Sequence, residues 1–300
     1  MTSPEIAPGL ARHVVAEVVA RALEEDLGAL GDVTTTATVP ATAIASADLV
    51  ARQAGVVAGL PVAAYVFATV SQGRLQFDLG CVDGARVGAG EVLATVRGPA
   101  RDLLTAERTA LNLLGHLSGV ATLTRQWVDA VAGTAARIRD TRKTMPGLRA
   151  LEKYAVRMGG GHNHRMSLSD AALVKDNHVA AAGGVVAAFD LVRAAYPDLP
   201  LEVEADTLAQ ACQLVDAGAA LVLLDNMSPA DLRAAVRYAA GRAALEASGG
   251  LALVTAREVA ETGVDYLSVG ALTHSAPVLD IGLDFHDPGP GAGVPTDSEA

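Results

Sequence analysis

The sequence predicts an α/β protein whose second half is a parallel α/β sheet or barrel. Of its 300 residues, 51% are apolar, which is enough for a sizeable core and far above the level of disordered chains. After Gly133, short apolar runs alternate with segments of helical periodicity, as in parallel strands joined by helices. Thr207 and Ser228 stand where helix N-caps are expected, and Pro229 suits a first helical turn.

The first part of the chain predicts a mixed α/β region. Residues 83–98 predict a Gly-punctuated hairpin, either a plain structural β element, which we favour, or a swivelling lipoyl-like module. Residues 103–131 have a long helical pattern that Gly115 and Gly119 interrupt, so we expect two helices there. The remaining predicted elements are a helix over 11–27, an extended segment over 44–59 and a helix from about Pro61.

Composition excludes several classes of function. A formal net charge of -11 argues against a general nucleic-acid or anionic-membrane surface, and 3% aromatic residues argue against recognition by aromatic stacking. Two cysteines without CxxC spacing fit a reducing compartment and exclude a cysteine-built zinc site. No export signal is recognised, and glycines and a proline break the uncharged segment 53–73, so we expect a cytoplasmic protein without a membrane span.

A cation-rich stretch stands out in this acidic chain. Residues 138–165 carry seven Lys or Arg side chains and only two acids. Such a local excess indicates a site for an anionic ligand. Arg149, Lys153 and Arg157 recur at a spacing of four on a predicted helix, so these three are expected either to form a solvated face or to pair with acids.

Polar residues or glycines end each of six predicted strands. In a (β/α) barrel the carboxyl ends of the strands converge on one mouth, where active sites are built. Arg142, Lys143, Arg165 and Lys175, together with His164, predict a cationic bowl for a small ligand with several negative charges. The strand-end residues are Thr141, Arg142, Lys143, Lys175, Glu204, Asp225, Ser248, Gly249, Gly250, Gly270 and Ala271.

Two strand-end carboxylates predict a magnesium site beside a phosphorylated ligand. Mg²⁺ prefers one or two protein carboxylates together with substrate phosphates, so Glu204 and Asp225 are its expected ligands. The glycines of "SGG" and "VGA" offer backbone N–H groups next to helix N-termini, which predicts a phosphate site. His274, just after the last strand, is either a phosphate contact or a structural residue.

His162 and His164 form an HxH pair, which leaves a zinc enzyme as an alternative. In amidohydrolase-type barrels this pair ends the first strand and binds zinc, and Lys175 would complete the set. Here the pair follows "MGGG", which predicts a flexible loop, so zinc ligation is disfavoured. A non-catalytic binder of pyridine carboxylates or phosphosugars is a further alternative.

Seven segments, in order from about Asp26 to Phe285, resemble the quinolinate phosphoribosyltransferase family, also called nicotinate-nucleotide pyrophosphorylase. The departures are His162, where a small apolar residue is expected, and an acidic tail. The segments are "AERTALNLLGHLSGVAT", "DTRKTMPGLRALEKYAVRMGGGHNHR", "LSDAALVKDNH", "LEVEAD", "LLDNM", "LEASGG" and "TGVDYLSVGALTHSAPVLDIGLDF".

The resemblance implies an N-terminal α/β sandwich over residues 1–118, rejoined by about 279–286, and an incomplete, open TIM-like α/β barrel over 119–278. Residues 287–300 lack any period and predict a disordered tail. The resemblance further implies a homodimer, or a higher oligomer such as a hexamer, in which one subunit's sandwich covers the barrel mouth of the other. Its implied reaction is a pentosyl transfer: quinolinate and phosphoribosyl pyrophosphate give nicotinate mononucleotide, pyrophosphate and CO₂.

The resemblance also assigns roles to matching residues. Arg108 is expected to reach quinolinate across the dimer. Lys143, Lys175, Glu204 and Asp225 are the expected catalytic residues. The implied contacts are Arg142, His164, Arg165 and Lys175 with the two carboxylates of quinolinate; Lys143 and Lys175 with the donor; Glu204 and Asp225 with ribose and Mg²⁺; and the backbones of Ser248, Gly249, Gly250, Val269, Gly270 and Ala271 with the 5′-phosphate, beside Thr141 and His274.

Overall fold

The computed structural model describes residues 5–286, which fall into two compact units. One unit holds the described residues up to Gly119 together with those from Val278 onwards. The other unit is Val120–Pro277. The predicted disordered tail, 287–300, lies outside the described residues.

The first unit mixes short strands with helices. The predicted hairpin over 83–98 is wrong, because its two strands pair with other strands rather than with each other. The elements are β1 (Glu5–Ala7), β2 (Leu10–Ala11), α1 (Arg12–Leu27), α2 (Val33–Thr38), β3 (Ile44–Ala51), β4 (Gly55–Val56), α3 (Leu60–Ser71), β5 (Gln76–Leu79), β6 (Arg86–Val87), β7 (Val92–Pro99) and α4 (Ala100–Ala130).

Helix α4 is one continuous helix of 31 residues, whereas the glycines predicted two helices. Gly115 is needed for close packing rather than for a break. A Cβ atom at this position would lie 2.9 Å from the carbonyl oxygen of Leu279 and 3.0 Å from Cγ1 of Val278. The N–H of Leu279 also donates to the carbonyl oxygen of Gly115 at 3.0 Å, so the returning chain lies directly on the helix.

The uncharged segment 53–73 contains β4 and all of α3, as the strand–turn–helix interpretation predicted. Pro61 lies in the first turn of α3, where its missing N–H removes no helical hydrogen bond. Between residues 5 and 286, no single helix is both long and apolar enough to cross a membrane. Only Asp176–Ala182 and Val185–Ala195 counted together, with a 90° bend between them, meet that test by length and composition.

The second unit alternates strands and helices, as the sequence predicted. The N-caps are also confirmed: Thr207 accepts the N–H of Gln210, and Ser228 accepts the N–H of Asp231. The elements are β8 (Arg137–Arg139), α5 (Arg149–Met158), β9 (Ala172–Val174), α6 (Asp176–Ala182), α7 (Val185–Ala195), β10 (Leu201–Ala205), α8 (Leu208–Asp216), β11 (Leu221–Asp225), α9 (Pro229–Ala239), β12 (Ala244–Ser248), a 3-10 turn (Leu253–Thr255), α10 (Ala256–Ala260), β13 (Tyr266–Ser268) and α11 (Ala271–His274).

These six strands form one parallel sheet in the order β8-β13-β12-β11-β10-β9. The last strand pairs with the first, while β8 and β9 are the two edges, so the sheet is a barrel that stays open between β8 and β9. Apolar residues of the strands and of the covering helices form the core, among them Val222, Leu224, Leu214 and Leu232.

A final strand, β14 (Ile281–Phe285), returns to the first unit. It pairs antiparallel with β3 in a four-stranded sheet ordered β14-β3-β7-β5. The chain therefore inserts the open barrel before its last strand is added to the first sheet. This mixed architecture, an antiparallel α/β unit and an open parallel barrel, is the predicted fold class.

Candidate active site

A cavity of about 670 Å³ lies at the carboxyl ends of the parallel strands. Every residue that lines it belongs to the second unit. Because parallel strands run in one direction, residues that follow different strands meet at this edge. The predicted site residues that line it are Thr141, Arg142, Lys143, His164, Arg165, Lys175, Glu204, Asp225, Ser248, Gly249 and Gly250.

Three of the cations in this cavity lack an anionic partner. Within residues 5–286, neither Arg142, Lys143 nor Arg165 forms an ion pair. The Nε atom of Arg142 is buried and makes no hydrogen bond. Burial, and then the nearby guanidinium of Arg142, lower the pKa of Arg165. Two adjacent cations of this kind favour the binding of an anion, which relieves both their repulsion and their lost hydration.

Lys175 differs from these three cations because its ammonium pairs with Glu204. Glu204 is buried, and its second oxygen lies 3.5 Å from the backbone nitrogen of Asp176, at the start of α6. The pair joins the ends of β9 and β10, which are adjacent in the sheet. Lys175 is therefore held at the border between the cationic and the acidic sides of the cavity.

The acidic side is formed by residues at the carboxyl ends of β10 and β11. One carboxylate oxygen from each of Glu204, Asp206 and Asp225 lies within 4.8 Å of the others. Asp225 also accepts a hydrogen bond of 2.5 Å from Nδ2 of Asn226, which has a positive φ of 52°. An all-oxygen set of this kind suits a hard cation such as Mg²⁺.

The predicted phosphate corner lies partly in the cavity. Ser248, Gly249 and Gly250 line it, whereas Val269 is buried at the end of β13. A Cβ atom on Gly270 would lie 3.0 Å from Cδ of Lys143 and 3.2 Å from Nε2 of His274. The Gly270–Ala271 corner and His274 therefore lie against the side chain of Lys143, which does line the cavity.

Of the two interpretations of the cations on α5, pairing with an acid holds for Lys153, whereas a solvated face does not. Lys153 is fully buried, and its ammonium pairs with the equally buried Asp140 and donates to the carbonyl oxygen of His164 at 2.8 Å. Asp140 also accepts the N–H of His164 at 2.8 Å. Arg157 donates to Oδ1 of Asn163 at 2.7 Å. The face of α5 thus fixes the segment that carries His164 and Arg165.

The three glycines before His162 do not form the flexible loop that was predicted. His162 bridges to Arg139 in parallel fashion, and its N–H donates to the carbonyl oxygen of Ile138 at 2.8 Å, so this segment extends along the open edge of β8. A Cβ atom on Gly159 would lie 2.5 Å from the carbonyl oxygen of Ala121. Glycine is therefore required where this turn packs against α4.

His162 and His164 lie in different cavities, which argues against a zinc site made from both. His162 lines a cavity of about 210 Å³ with Arg125 and Arg137, whereas His164 lines the large cavity. Burial, and then Arg137 and Arg139, lower the pKa of His162. Residues i and i+2 of a regular strand share a face, so the separation of the two imidazoles shows that the segment departs from strand geometry after its bridge at His162.

Several residues in or under the cavity were missed by the sequence reasoning. Glu202 and Glu246 are buried, and each lies two residues before a strand-end residue that was predicted. Strand side chains on one face recur every second residue, so a charged residue at that spacing inside an apolar run was the available signal. The other missed lining residues are Leu173, Asp176, Leu223, Asn226 and Ser268.

Arg108 belongs to the first unit, on α4. Its side chain is 62% exposed, and its guanidinium lies 3.9 Å from the carboxylate of Glu107. This contact is long and exposed, so it leaves the guanidinium available for another anion.

Two family models match the chain over most of its length. "Quinolinate phosphoribosyl transferase, N-terminal domain" matches residues 32–118, and the C-terminal domain of the same family matches residues 120–284. Among curated proteins, "Nicotinate-nucleotide pyrophosphorylase [carboxylating]" of Mycobacterium leprae is 54% identical over 275 residues, which cover 90% of this chain and 96% of that protein.

Solved structures of the same name have the same fold. The nicotinate-nucleotide pyrophosphorylase of Francisella tularensis matches with a TM-score of 0.89 and 36% identity, over 95% of this chain and 100% of that one. The enzyme of the same name from Ehrlichia chaffeensis matches with a TM-score of 0.86 and 38% identity, over 90% and 98% of the two chains. The chain therefore belongs to the quinolinate phosphoribosyl transferase family.

Proposed function

We propose that this chain transfers the phosphoribosyl group of phosphoribosyl pyrophosphate to quinolinate, giving nicotinate mononucleotide, pyrophosphate and CO₂. The proposal rests mainly on three cations, Arg142, Lys143 and Arg165. Among the described residues they form no ion pair, and the other side of their cavity holds Glu204 and Asp225. A dicarboxylate supplies the anionic partners that these cations lack. The family's own name supplies the identity of that dicarboxylate.

The acid half of the cavity consists of Arg142, Arg165 and Lys175. A guanidinium binds a carboxylate through two parallel hydrogen bonds, and an ammonium adds a point charge. Arg165 keeps its guanidinium in place by donating from Nη1 to the carbonyl oxygen of Ala171 at 2.9 Å. Two carboxylates therefore have enough donors here, with Lys175 at the border to the donor half.

The donor half binds the phosphoribosyl group. Lys143 approaches the donor phosphates, and Glu204 and Asp225 bind the ribose. The backbone N–H groups of the two glycine corners take the 5′-phosphate, because such groups bind phosphate oxygens without a competing side chain. The corners comprise Ser248, Gly249 and Gly250 on one strand and Val269, Gly270 and Ala271 on the next, with Thr141 and His274 beside them.

Magnesium fits the acidic side of the cavity. Glu204, Asp206 and Asp225 bring three carboxylates together, and hard oxygen donors are the ligands that Mg²⁺ prefers. Glu204 and Asp225 would hold it, partly through water and the substrate. When bound, Mg²⁺ neutralises charge on the donor's phosphates and on the leaving pyrophosphate.

The reaction follows from this division of the cavity. The ring nitrogen of quinolinate attacks the anomeric carbon as the bond to pyrophosphate breaks, through an oxocarbenium-like state. Glu204 and Asp225 stabilise the positive charge that develops on the sugar. The C–C bond to the adjacent carboxylate then breaks and CO₂ leaves, while the electron pair stays on the ring carbon, where the neighbouring pyridinium nitrogen stabilises it. That carbon takes up a proton from water to give nicotinate mononucleotide. No base is required for the loss of CO₂, and desolvation of the carboxylate favours it.

The assembly that we propose is a homodimer in which Arg108 of one subunit contacts quinolinate in the other. The exposed guanidinium of Arg108, with only a long contact to Glu107, supports this role. The free thiols Cys81 and Cys212 fit a reducing, cytoplasmic setting.

A mass-balance assay tests the reaction. Purified protein with quinolinate, phosphoribosyl pyrophosphate and Mg²⁺ should release pyrophosphate and CO₂ in a one-to-one ratio. Binding of both ligands without release of pyrophosphate would instead show a non-catalytic binder. Activity lost to a chelator and restored by Zn²⁺ but not by Mg²⁺ would favour the zinc alternative.

A further inference from the structure

Both ring nitrogens of His164 are bound by the protein itself. Nδ1 lies 2.7 Å from the backbone nitrogen of Arg165, which donates its hydrogen. Nε2 lies 2.8 Å from Oε2 of Glu202. Because Nδ1 accepts a hydrogen, it holds a lone pair, so the neutral ring carries its proton on Nε2 and donates it to Glu202. With its side chain only 8% exposed, the ring offers the cavity no spare donor.

A second buried carboxylate supports this hydrogen bond. Oε1 of Glu246 lies 3.6 Å from Nε2 of His164, while Oε2 of Glu246 pairs with the guanidinium of Arg139. Arg139 in turn stacks over the ring of Tyr266, 4.6 Å from its centroid. Burial, and then the Glu202 carboxylate, raise the pKa of Glu246. Glu202 and Glu246 form a buried acidic floor under the imidazole.

This acidic floor carries a cost in stability. Oε1 of Glu202 and Oε1 of Glu246 are both buried and make no hydrogen bond. Buried polar oxygens without partners destabilise a fold, so their presence calls for a role other than packing. Orientation of the imidazole is a role that the observed contacts supply.

His164, Glu202 and Glu246 are close enough to hold a metal, since their ligand atoms lie within 4.8 Å of one another. The tautomer argues against that occupant. If Nε2 bound a metal while Nδ1 accepted the Arg165 N–H, neither nitrogen would carry a proton and the ring would be an imidazolate. The guanidinium of Arg139 already supplies a positive charge to Glu246. A hydrogen-bonded, neutral imidazole satisfies all of these contacts.

We propose that Glu202, supported by Glu246, is a positioning residue that acts through His164 to hold Arg165 in its acid-binding position. His164 then links β10 to the backbone of Arg165 and is not itself a ligand of the quinolinate carboxylates. The inference rests on the proposed function, because it takes Arg165 as a carboxylate ligand. It revises the expectation that His164 contacts quinolinate directly.

The tautomer is tested by nitrogen NMR of protein labelled with ¹⁵N-histidine. The His164 signals are assigned by their loss in His164→Asn. We expect the Nε2–H form in the free protein and the same form with quinolinate bound. A ring that carries protons on both nitrogens, or on Nδ1 alone, in the quinolinate complex would overturn the proposal. The spectrum of the free protein tests the hydrogen bonds of His164 with Arg165 and Glu202 even if quinolinate is not the substrate.

Two amide variants separate the two ring nitrogens. His164→Asn places an acceptor near the position of Nδ1 and keeps the contact with Arg165, whereas His164→Gln places a donor near Nε2 and loses it. We expect the KM for quinolinate to rise about five- to tenfold more in His164→Gln than in His164→Asn, the effect of one hydrogen bond. Equal rises in the two variants would contradict the proposed link.

Glu202 is tested by comparing an amide variant with an apolar variant. Glu202→Gln retains an oxygen that accepts the His164 proton, whereas Glu202→Leu does not. We expect Glu202→Leu to raise the KM for quinolinate about tenfold, with kcat and the KM for the donor nearly unchanged, and Glu202→Gln to restore most of the affinity. A lower melting temperature in both variants with quinolinate KM unchanged would show a purely structural residue. If Glu202→Leu does not fold, the comparison of His164→Asn with His164→Gln and the NMR spectrum still test the proposal.

Discussion

At the scale of single residues, the division of the cavity is a matter of charge. Arg142 and Arg165 lie near each other, and neither forms an ion pair within residues 5–286, while Glu204 and Asp225 lie on the acidic side. In the proposed function, each group binds the substrate that carries the opposite charge. Removing a charge from one side should therefore affect one ligand and leave the other nearly unchanged.

Asp225→Asn keeps the shape of the side chain but removes the charge that, in the proposed reaction, stabilises the oxocarbenium-like state and would hold Mg²⁺. We expect kcat to decrease by on the order of 10²-fold, as when one electrostatic stabiliser is lost, with quinolinate affinity unchanged or slightly higher. Arg165→Ala should strongly weaken quinolinate binding and leave donor binding nearly intact. Calorimetric titration of both variants with both ligands measures this. Equal loss of quinolinate binding in the two variants would contradict the division.

Asp170 organises the turn after Arg165 and makes it sensitive to acid. Burial works to raise its pKa, but hydrogen bonds from the N–H groups of Met166 and Ser167 prevail and lower the pKa of Asp170 from 3.8 to about 2. A carboxyl whose pKa is lower in the folded state stabilises the fold above its unfolded pKa and loses that effect as pH decreases.

We therefore expect Asp170→Asn to have a lower free energy of unfolding than the parent chain, by a difference that stays constant from pH 7 to pH 5. That margin should shrink as the pH decreases from about 4 towards 2, the interval between the unfolded and folded pKa values of Asp170. Urea unfolding of both proteins at each pH measures it. A margin that grew with acidity would assign the stabilisation to another group.

At the scale of elements, α5 and β8 are joined through a buried ion pair. Lys153 of α5 and Asp140 after β8 are both fully buried, and burial lowers the pKa of Lys153 against the opposing effect of Asp140. The pair also binds the backbone of His164 from both sides. The position of the segment that carries His164 and Arg165 therefore depends on the packing of α5, a helix whose residues do not line the cavity.

Lys153→Met removes one partner and leaves Asp140 buried without its countercharge. We expect the free energy of unfolding to decrease by about 3–5 kcal/mol. Arg193→Met is the control, because Arg193 and Asp190 form an exposed pair on α7 that should contribute about 0–1 kcal/mol. Chemical denaturation compares the variants. A loss in Lys153→Met no larger than in Arg193→Met would show that the buried pair is not stabilising.

The sequence predicted the strands of the second unit and their polar ends better than it predicted which polar residues are buried. Lys153 has the spacing of a surface residue, and its partner Asp140 lies thirteen positions earlier, so helical periodicity alone points it to solvent. Gly115 looks like a helix breaker in the sequence, because the segment that requires a glycine there, at Leu279, is distant along the chain. Periodicity predicts local structure, whereas tertiary contacts determine the environment of Lys153 and Gly115.

At the scale of the whole molecule, a net charge of -11 coexists with a cavity that holds Arg142, Lys143 and Arg165, for which the described part of the chain supplies no ion pair. The acidic remainder keeps the chain from binding anions in general, and the cavity concentrates the positive charge in one place. Arg108 would add a further cation from a second subunit. The complete site is then a property of the assembly and not of one chain.

Mixing two inactive variants tests that assembly. Arg108→Ala and Arg142→Ala should each be nearly inactive, and subunit exchange between them should restore activity. A mixed dimer would contain one site with both changes and one site with neither. If exchange is verified by labelled subunits and no activity returns, Arg108 acts within its own subunit or outside the mechanism.

The open seam between β8 and β9 has a consequence for engineering. The chain leaves the barrel after β8 and re-enters it at β9, and this excursion carries Arg142, Lys143, His164 and Arg165. Most groups proposed for the sugar and its phosphate lie at or after the ends of β10 to β13 instead, while Thr141 and Lys143 lie on the excursion. Most acceptor contacts and most donor contacts are thus on consecutive pieces of the polypeptide, with Lys175 and Arg108 outside the excursion. A chimaera that exchanges only residues 140–171 between relatives would transfer acceptor preference while every strand-to-strand ladder of the barrel stays in place.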